Sequence, residues 1–358
     1  MRSVSSIVFC LLFAALLLSC GENDPFKDFT KATAEENGGR LTIMAYNVED
    51  MDEGTGSTML SVYAEIANIL KASKVDVVCF QETQPGSGTS DKYGDGSAAS
   101  DGDVSNFNKA LKAAGYIMPY YAFNSDGSIR RDFVSVWSRF KVDSIVSIRQ
   151  EGRGSFDPSS GNRYRASRPI LRYRVPFMGH EIWFYGCHLK SNAGGVIEQN
   201  AGSRRAQAFH LMRYIMRHHD PERDLIVVLG DMNTMPSDYD NSGNSTIDYL
   251  CLKYDNPFNV RNDFIPVNLD EIGAVTNAGF HPNGDVIETW GAKTMGTTHA
   301  GNANGSGYPD ATFDHIILSP TLYNVHYVPG SINIIRKSTD YGGGPADHFP
   351  VLLTLDFN

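Results

Sequence analysis

Basic charge, cysteine and repetition are all scarce in this chain, and each scarcity excludes something. Its 358 residues carry 31 Lys and Arg against 41 Asp and Glu, a formal net charge of -10. Net charge bears on solubility and association rather than on fold. An acidic chain lacks the broad basic face that holds long nucleic acid through counterion release, although a small phosphorylated substrate or transient contact with nucleic acid stays compatible with it. There are 5 cysteines, none in a metal-binding spacing. Loss of Cys10 with a leader and acylation of Cys20 would leave Cys79, Cys187 and Cys251 in the body. Cys79 and Cys187 sit in apolar, strand-like runs, where a thiol behaves as a small buried hydrophobe, so no structural disulfide is expected. No short-period repeat is present, and no linker follows residue 40.

What is there suits a folded domain. The composition is 41% hydrophobic with 17 Tyr and 19 Phe, enough for a sizeable core, and the charged fraction of 20% is ordinary. The N-terminus reads as an address: Arg2, then an apolar run from Ile7 to Leu18, then Ser19-Cys20. The run is too short to span a bilayer comfortably and fits a secretory signal. Leu17-Leu18-Ser19-Cys20 resembles a bacterial lipobox, which implies cleavage before Cys20 and membrane attachment through its lipid. That makes the protein an exported cell-envelope lipoprotein, at the periplasmic face or the cell surface; the alternative is a plain secretory signal with an incidental cysteine. Residues 1–19 are then the signal. Residues 20–39, polar and without apolar period, read as a flexible tether, and residues 40–358 as one domain at the upper end for a single core.

Along that domain, strands and helices alternate. Leu41–Tyr46 and Val75–Phe80 read as strands flanking a helix over Ser57–Lys71. A Gly/Ser/Asp-rich loop from Pro85 to Asp103 follows; its Asp91, Asp95, Asp101 and Asp103 lack EF-hand spacing. A helix over Val104–Ala114 precedes strands at Tyr116–Tyr121, Phe133–Trp137, Lys141–Ile148, Pro169–Val175 and His180–His188. A long amphipathic helix runs from Ile197 to His219, with Pro221 beyond its end. A short helix is expected within Asp238–Leu252, then strands at Phe313–Leu318, near Val325, at Ile332–Ile335 and at Pro350–Phe357. The result is two roughly matching halves.

The most informative stretch is Leu225-Ile-Val-Val-Leu-Gly-Asp-Met-Asn-Thr234. Five apolar residues, mostly β-branched, make a strand buried on both faces. Asp231 and Asn233 follow at i and i+2, which in extended chain places both side chains on one side. Alone this is as easily an Asx turn. Yet other strands end the same way, in Asn47 with Glu49, in Glu82, in His188, and in Asp347-His348 ahead of the last strand. Polar groups gathered at strand ends along one rim are how a scaffold assembles a catalytic constellation.

Tyr46-Asn47-Val48-Glu49, Phe80-Gln81-Glu82, His188-Leu-Lys-Ser191, Gly230-Asp-Met-Asn-Thr234, Phe313-Asp-His-Ile-Ile317 and Ala346-Asp-His-Phe-Pro-Val351 resemble the ordered motif set of the endonuclease/exonuclease/phosphatase superfamily. The resemblance covers residues 40 to 358 and is specific for the superfamily, not for substrate. It implies an α/β fold, a four-layer sandwich of two mixed β-sheets packed face to face and flanked by helices. It also implies a phosphoester hydrolase dependent on Mg²⁺ or Mn²⁺, with Ca²⁺ a further candidate.

Carried over by motif, Glu82 is the principal ion ligand, with Asn47 beside it, Asp347 a further ligand and Glu49 a supporting acid. Asp231 and Asn233 orient the attacking water and a phosphate oxygen. His348, oriented by Asp314 or Asp347, acts on the nucleophile or the scissile phosphate, and His188 contacts the phosphate or protonates the leaving oxygen. Arg168 and Ser191, with Asn233, bind substrate. Arg130-Arg131 and Arg204-Arg205 read as solvated pairs, and His315 as structural because alternation turns it away from Asp314. The Gly/Asn-rich segment Gly291–Pro309, with Trp290 and His299, matches no motif and is a candidate lid.

His-Leu-Lys-Ser points to nuclease-like members, whereas the acidic charge suits an enzyme of small substrates such as sugar phosphates, nucleotides or phospholipid headgroups. A third reading, an inactive surface lipoprotein that binds a partner, conflicts with retention of the whole polar set.

Overall fold

The computed structural model describes residues 26–48, 57–83, 102–124, 133–149, 155–157, 159–164, 168–191, 196–220, 222–234, 246–250, 313–335 and 348–358. The features read at Cys10, Cys20, Cys251, the loop 85–101, Arg130-Arg131 and 290–309 lie outside the described residues. In chain order the elements are α1 (Lys27–Glu36), β1 (Arg40–Asn47), α2 (Ser57–Ala72), β2 (Val77–Thr83), α3 (Gly102–Ala114), β3 (Tyr120–Phe123), β4 (Phe133–Ser138) and β5 (Asp143–Ile148). Then come β6 (Ser155–Phe156), β7 (Arg163–Tyr164), β8 (Ile170–Phe177), β9 (His180–His188), α4 (Ile197–His218) and β10 (Leu225–Asp231). The order closes with α5 (Thr246–Leu250), β11 (Asp314–Leu318), β12 (Asn333–Ile334) and β13 (Val351–Asp356).

Two mixed sheets result, one in the order β12-β13-β1-β2-β4-β3 and the other β11-β10-β9-β8-β5; β6 and β7 form a separate hairpin. Each large sheet has one parallel pair near its centre. β1 and β2 pair from Ile43–Val77 to Asn47–Gln81, and β9 and β10 from Ile182–Leu225 to His188–Asp231. Parallel neighbours need a crossover, which α2 and α4 supply, so each sheet grows around a βαβ unit.

Alternation along the strands divides the apolar side chains between two faces. Ile43, Ala45, Val77, Phe184, Val227 and Leu229 meet in the core between the sheets. Met44, Val78, Phe80 and Trp137 face outward onto Tyr63, Leu70 and Phe107 of α2 and α3. Ile226, Val228 and Tyr185 face outward onto Phe209, Met212 and Ile215 of α4. These contacts give the four layers that the motif set implied, and they explain why Leu225–Leu229 is apolar throughout: every position is covered. Truncating a core residue such as Leu229 is worth roughly 2–5 kcal/mol.

Some expectations are corrected. Residues 27–36 are helical and docked, not a flexible tether. Phe26 packs edge-on against Tyr120 at 5.8 Å, and the Arg139 guanidinium lies over the Phe29 and Tyr116 rings at 5.7 and 5.2 Å. The residues around Val325 form a π-helical turn, Leu322–His326, in place of a strand. β3 begins at Tyr120, later than the apolar run suggested. Cys79 faces the core between the sheets while Cys187 faces the α4 layer, and both are buried thiols.

Candidate active site

The two parallel pairs end at the same rim, and their registers bring the polar residues there. Asn47 lies opposite Gln81, one residue short of Glu82, at the end of β1 and β2. Asp231 lies opposite His188 on one side and Asp314 on the other, at the ends of β9, β10 and β11. Across the gap between the sheets, Asn47 Nδ2 donates to Glu82 Oε1 at 2.9 Å and to Asp231 Oδ2 at 3.0 Å. His188 Nε2 stands 3.5 Å from Glu82 Oε1 and 3.4 Å from Asp231 Oδ2. One ligand atom from each of Glu82, His188 and Asp231 falls within 4.8 Å of the others.

Local backbone distortion aims these groups. The β2–β4 register shifts between Phe80 and Thr83, and Glu82 within that bulge has φ +59°. A bulge re-aims a side chain, and a left-handed non-glycine residue is an outlier that clusters at functional sites. Asn233 is the second such residue at the rim, with φ +50°; asparagine tolerates that region better than most. Its amide N–H donates to Asp231 Oδ1 at 2.7 Å and its Nδ2 to Asp231 Oδ2 at 2.9 Å. Gly230 is required immediately before Asp231: at φ +127°, a Cβ would collide with the Cys187 carbonyl oxygen.

Beside this cluster is a second pair. His348 Nδ1 donates to Asp314 Oδ2 at 2.7 Å, the carboxylate being able only to accept, which in the neutral imidazole leaves the lone pair on Nε2. Both residues are buried, His348 keeping 7% of its surface exposed. His315 points the other way and bonds Thr234 across 2.9 Å. Burial holds His188 well below the ordinary imidazole range, with the charges of Arg168 and His348 adding to the effect. Burial likewise pushes the Asp231 carboxyl up, reinforced by Asp314 and Glu82 and opposed by His348. His188 is therefore held toward its neutral form in the absence of a cation.

The structure brings together Asn47, Glu82, His188, Asp231, Asn233, Asp314 and His348 as anticipated. Asn47 meets the carboxylates through its amide nitrogen and spaces them. Arg168 reaches the edge of the site, where Nη1 donates to the Leu189 carbonyl at 3.0 Å, and the Ser191 carbonyl accepts from Lys190 Nζ at 2.7 Å. Glu49 and Asp347 lie outside the described residues. Arg204 and Arg205, expected to be solvated, are 0% and 5% exposed. Arg204 Nη1 donates to the Lys190 carbonyl at 2.8 Å, and Arg205 Nη2 to Asp157 Oδ2 at 3.2 Å. Composition hides this because a charged residue on a helix reads as solvent-facing, and the partners, Lys190 and Asp157, lie outside that helix.

The Endonuclease/Exonuclease/phosphatase family model matches residues 44–348. A search of the curated proteins finds no match. Among solved structures the chain is similar to D. rerio TDP2 complexed with a single-strand DNA product, at 16% identity and TM-score 0.54, over 89% of this chain and 99% of that one. Truncated Caenorhabditis elegans TDP2 is similar at 16% identity and TM-score 0.52, over 89% and 98%. An AP endonuclease from Archaeoglobus fulgidus is similar at 16% identity and TM-score 0.50, over 88% and 100%. At these identities the likeness concerns the fold.

Proposed function

The chain belongs to the Endonuclease/Exonuclease/phosphatase family, whose members are divalent-metal-dependent hydrolases of phosphoester bonds, and we propose that it is a phosphodiesterase, first of all a nuclease. The observation that carries this reading is the Glu82–His188–Asp231 cluster beside a His348–Asp314 pair at 2.7 Å.

The donors fit a divalent ion. Two carboxylates converge at one rim, and a hard cation takes oxygen-rich anionic sites. Glu82 and Asp231 would hold it, with Asn47 adjacent; Mg²⁺ or Mn²⁺ suits the donors. Once bound, such an ion supplies Lewis-acid polarisation of the phosphate and lowers the pKa of water.

The rest of the chemistry belongs to the side chains. His348 Nε2 accepts a proton from the attacking water while Asp314 holds the Nδ1–H tautomer and stabilises the imidazolium. Asn233, fixed by Asp231, turns toward the phosphate edge. His188, neutral and buried, contributes a hydrogen bond whose orientation the neighbouring carboxylates set. Arg168 and Lys190 give positive potential where phosphate charge develops.

The TDP2 structure with a single-strand DNA product makes nucleic acid the first substrate to try. A net charge of -10 favours a second reading, an enzyme of small phosphate esters. Supercoiled DNA, bis-p-nitrophenyl phosphate and p-nitrophenyl phosphate, each with and without Mg²⁺ or Mn²⁺, separate the two when run beside His348→Ala. Metal-dependent nicking lost in the variant supports the nuclease. Diester or monoester cleavage without nicking supports the small-substrate enzyme, and silence on all three contradicts both. Export and lipid attachment at Cys20 are a further proposal, resting on Leu17–Cys20 alone; Cys20→Ser should abolish labelling by radioactive palmitate.

A further inference from the structure

Arg204 and Gln207 take no part in the chemistry above, yet they are 0% and 3% exposed. Both stand on α4, three residues apart and so on one face, and both reach the same residue of the loop after β9. Gln207 Oε1 accepts the Lys190 backbone N–H at 2.9 Å, and Arg204 Nη1 donates to the Lys190 carbonyl at 2.8 Å. The preceding residue is held as completely. Leu189 N donates to the Asp231 carbonyl at 2.9 Å, and the Leu189 carbonyl accepts from Arg168 Nη1 at 3.0 Å and Asn233 Nδ2 at 3.2 Å.

Leu189 and Lys190 lie outside any strand or helix, yet all four of their main-chain polar groups have partners. Loops are ordinarily the mobile part of a site. Here side chains replace the hydrogen-bond ladder that a strand would provide. The two clamping residues come from the helix that also packs behind β9 and β10, so loop and strand ends share one support.

We propose that Arg204 and Gln207 are positioning residues. By gripping the Lys190 peptide on both sides they fix the Lys190–Ser191 edge of the rim against the substrate phosphate, an inference that rests on the phosphoesterase reading. A displaced edge weakens substrate binding while leaving the Glu82, Asp231 and His348 groups in place, because strand register and the Asp314 pair set those.

The test uses the full chain with Mg²⁺ and bis-p-nitrophenyl phosphate, alongside amide hydrogen exchange of the Lys190 N–H. Gln207→Leu removes the acceptor at similar volume. It should speed exchange at Lys190 by about tenfold or more and raise KM by about fivefold with kcat within about twofold. Gln207→Glu keeps an acceptor and should return both readouts to within about twofold of the parent. If Gln207→Leu does not fold, Gln207→Asn, one methylene too short to reach, carries the same expectation.

Parental exchange and KM in these variants would overturn the proposal, as would a fall in kcat at constant KM. A parent chain inactive on supercoiled DNA, bis-p-nitrophenyl phosphate and p-nitrophenyl phosphate alike overturns the phosphoesterase reading instead, and the exchange measurement then decides the clamp alone; where only DNA is cleaved, KM and kcat are read on DNA.

Discussion

Asp76 and Asp231 are each 1% exposed, and they sit at opposite ends of the sheet pair. Asp76 precedes β2, whose far end carries Glu82. Burial raises the carboxyl of both: Asp76 to about 6, and Asp231 upward with help from neighbouring carboxylates. Their partners differ. Asp76 accepts from Asn37 Nδ2 at 2.8 Å, from the Thr42 amide at 2.9 Å and from Arg139 Nη1 at 3.4 Å, a guanidinium that also holds α1 through Thr33. Asp231 is surrounded by amide donors, a neutral imidazole and a second carboxylate. One end closes a buried charge with a cation of its own; the other gathers anionic oxygens as a cation site would. The first arrangement is that of a structural ion pair and the second is the one proposed to be functional, and composition alone does not distinguish them.

Substitutions should separate the two ends. Glu82→Gln keeps the shape and an acceptor for Asn47 but removes one negative charge. Hydrolysis with Mg²⁺ should fall by about a hundredfold or more, while the melting temperature without metal holds or rises. His348→Ala should lower kcat by roughly 10²–10⁴ without changing metal binding, which calorimetry with Mn²⁺ checks. Asp76→Asn should do the reverse. Activity is retained, and stability in urea falls by about 1–3 kcal/mol because an amide faces three donors. Mg²⁺ in excess should raise the melting temperature of the parent and of Asp76→Asn through linkage, and should leave Glu82→Gln unmoved.

The smallest effect is one of pH. A carboxyl held up to about 6 in the fold and near 4 in the unfolded chain favours folding most fully below about pH 4. That contribution is lost as pH rises through about 6. The urea midpoint of the parent should therefore carry a component that declines over this window, and Asp76→Asn should lack it.

Much of the site was legible because buried strands alternate and end abruptly. Once Leu225–Leu229 is read as a covered strand, Asp231 and Asn233 are rim residues, and the same reasoning places Asn47, Glu82 and His188. What could not be read was geometry that only tertiary contact imposes. The bulge that turns Glu82 at φ +59° has no local signature. Arg204 looked solvated because its partner is a loop peptide fourteen residues away, and Gln207 drew no reading because it meets the same peptide seventeen residues away. Helix α1 was missed although Phe26, Phe29 and Thr33 share a face, since their partners, Tyr120 and Arg139, are remote in sequence. In each case the deciding contact crosses the chain, beyond the reach of a periodicity window.

Hydrolysis of bis-p-nitrophenyl phosphate by the metal-stripped chain, titrated with Mg²⁺ or Mn²⁺ beside Glu82→Gln, tests the central claim most directly. Activity that appears with added ion in the parent and stays absent in the variant is the expected result. Equal activity in the two proteins, or hydrolysis indifferent to the ion, would contradict the assignment of the rim as a metal-dependent phosphoesterase site.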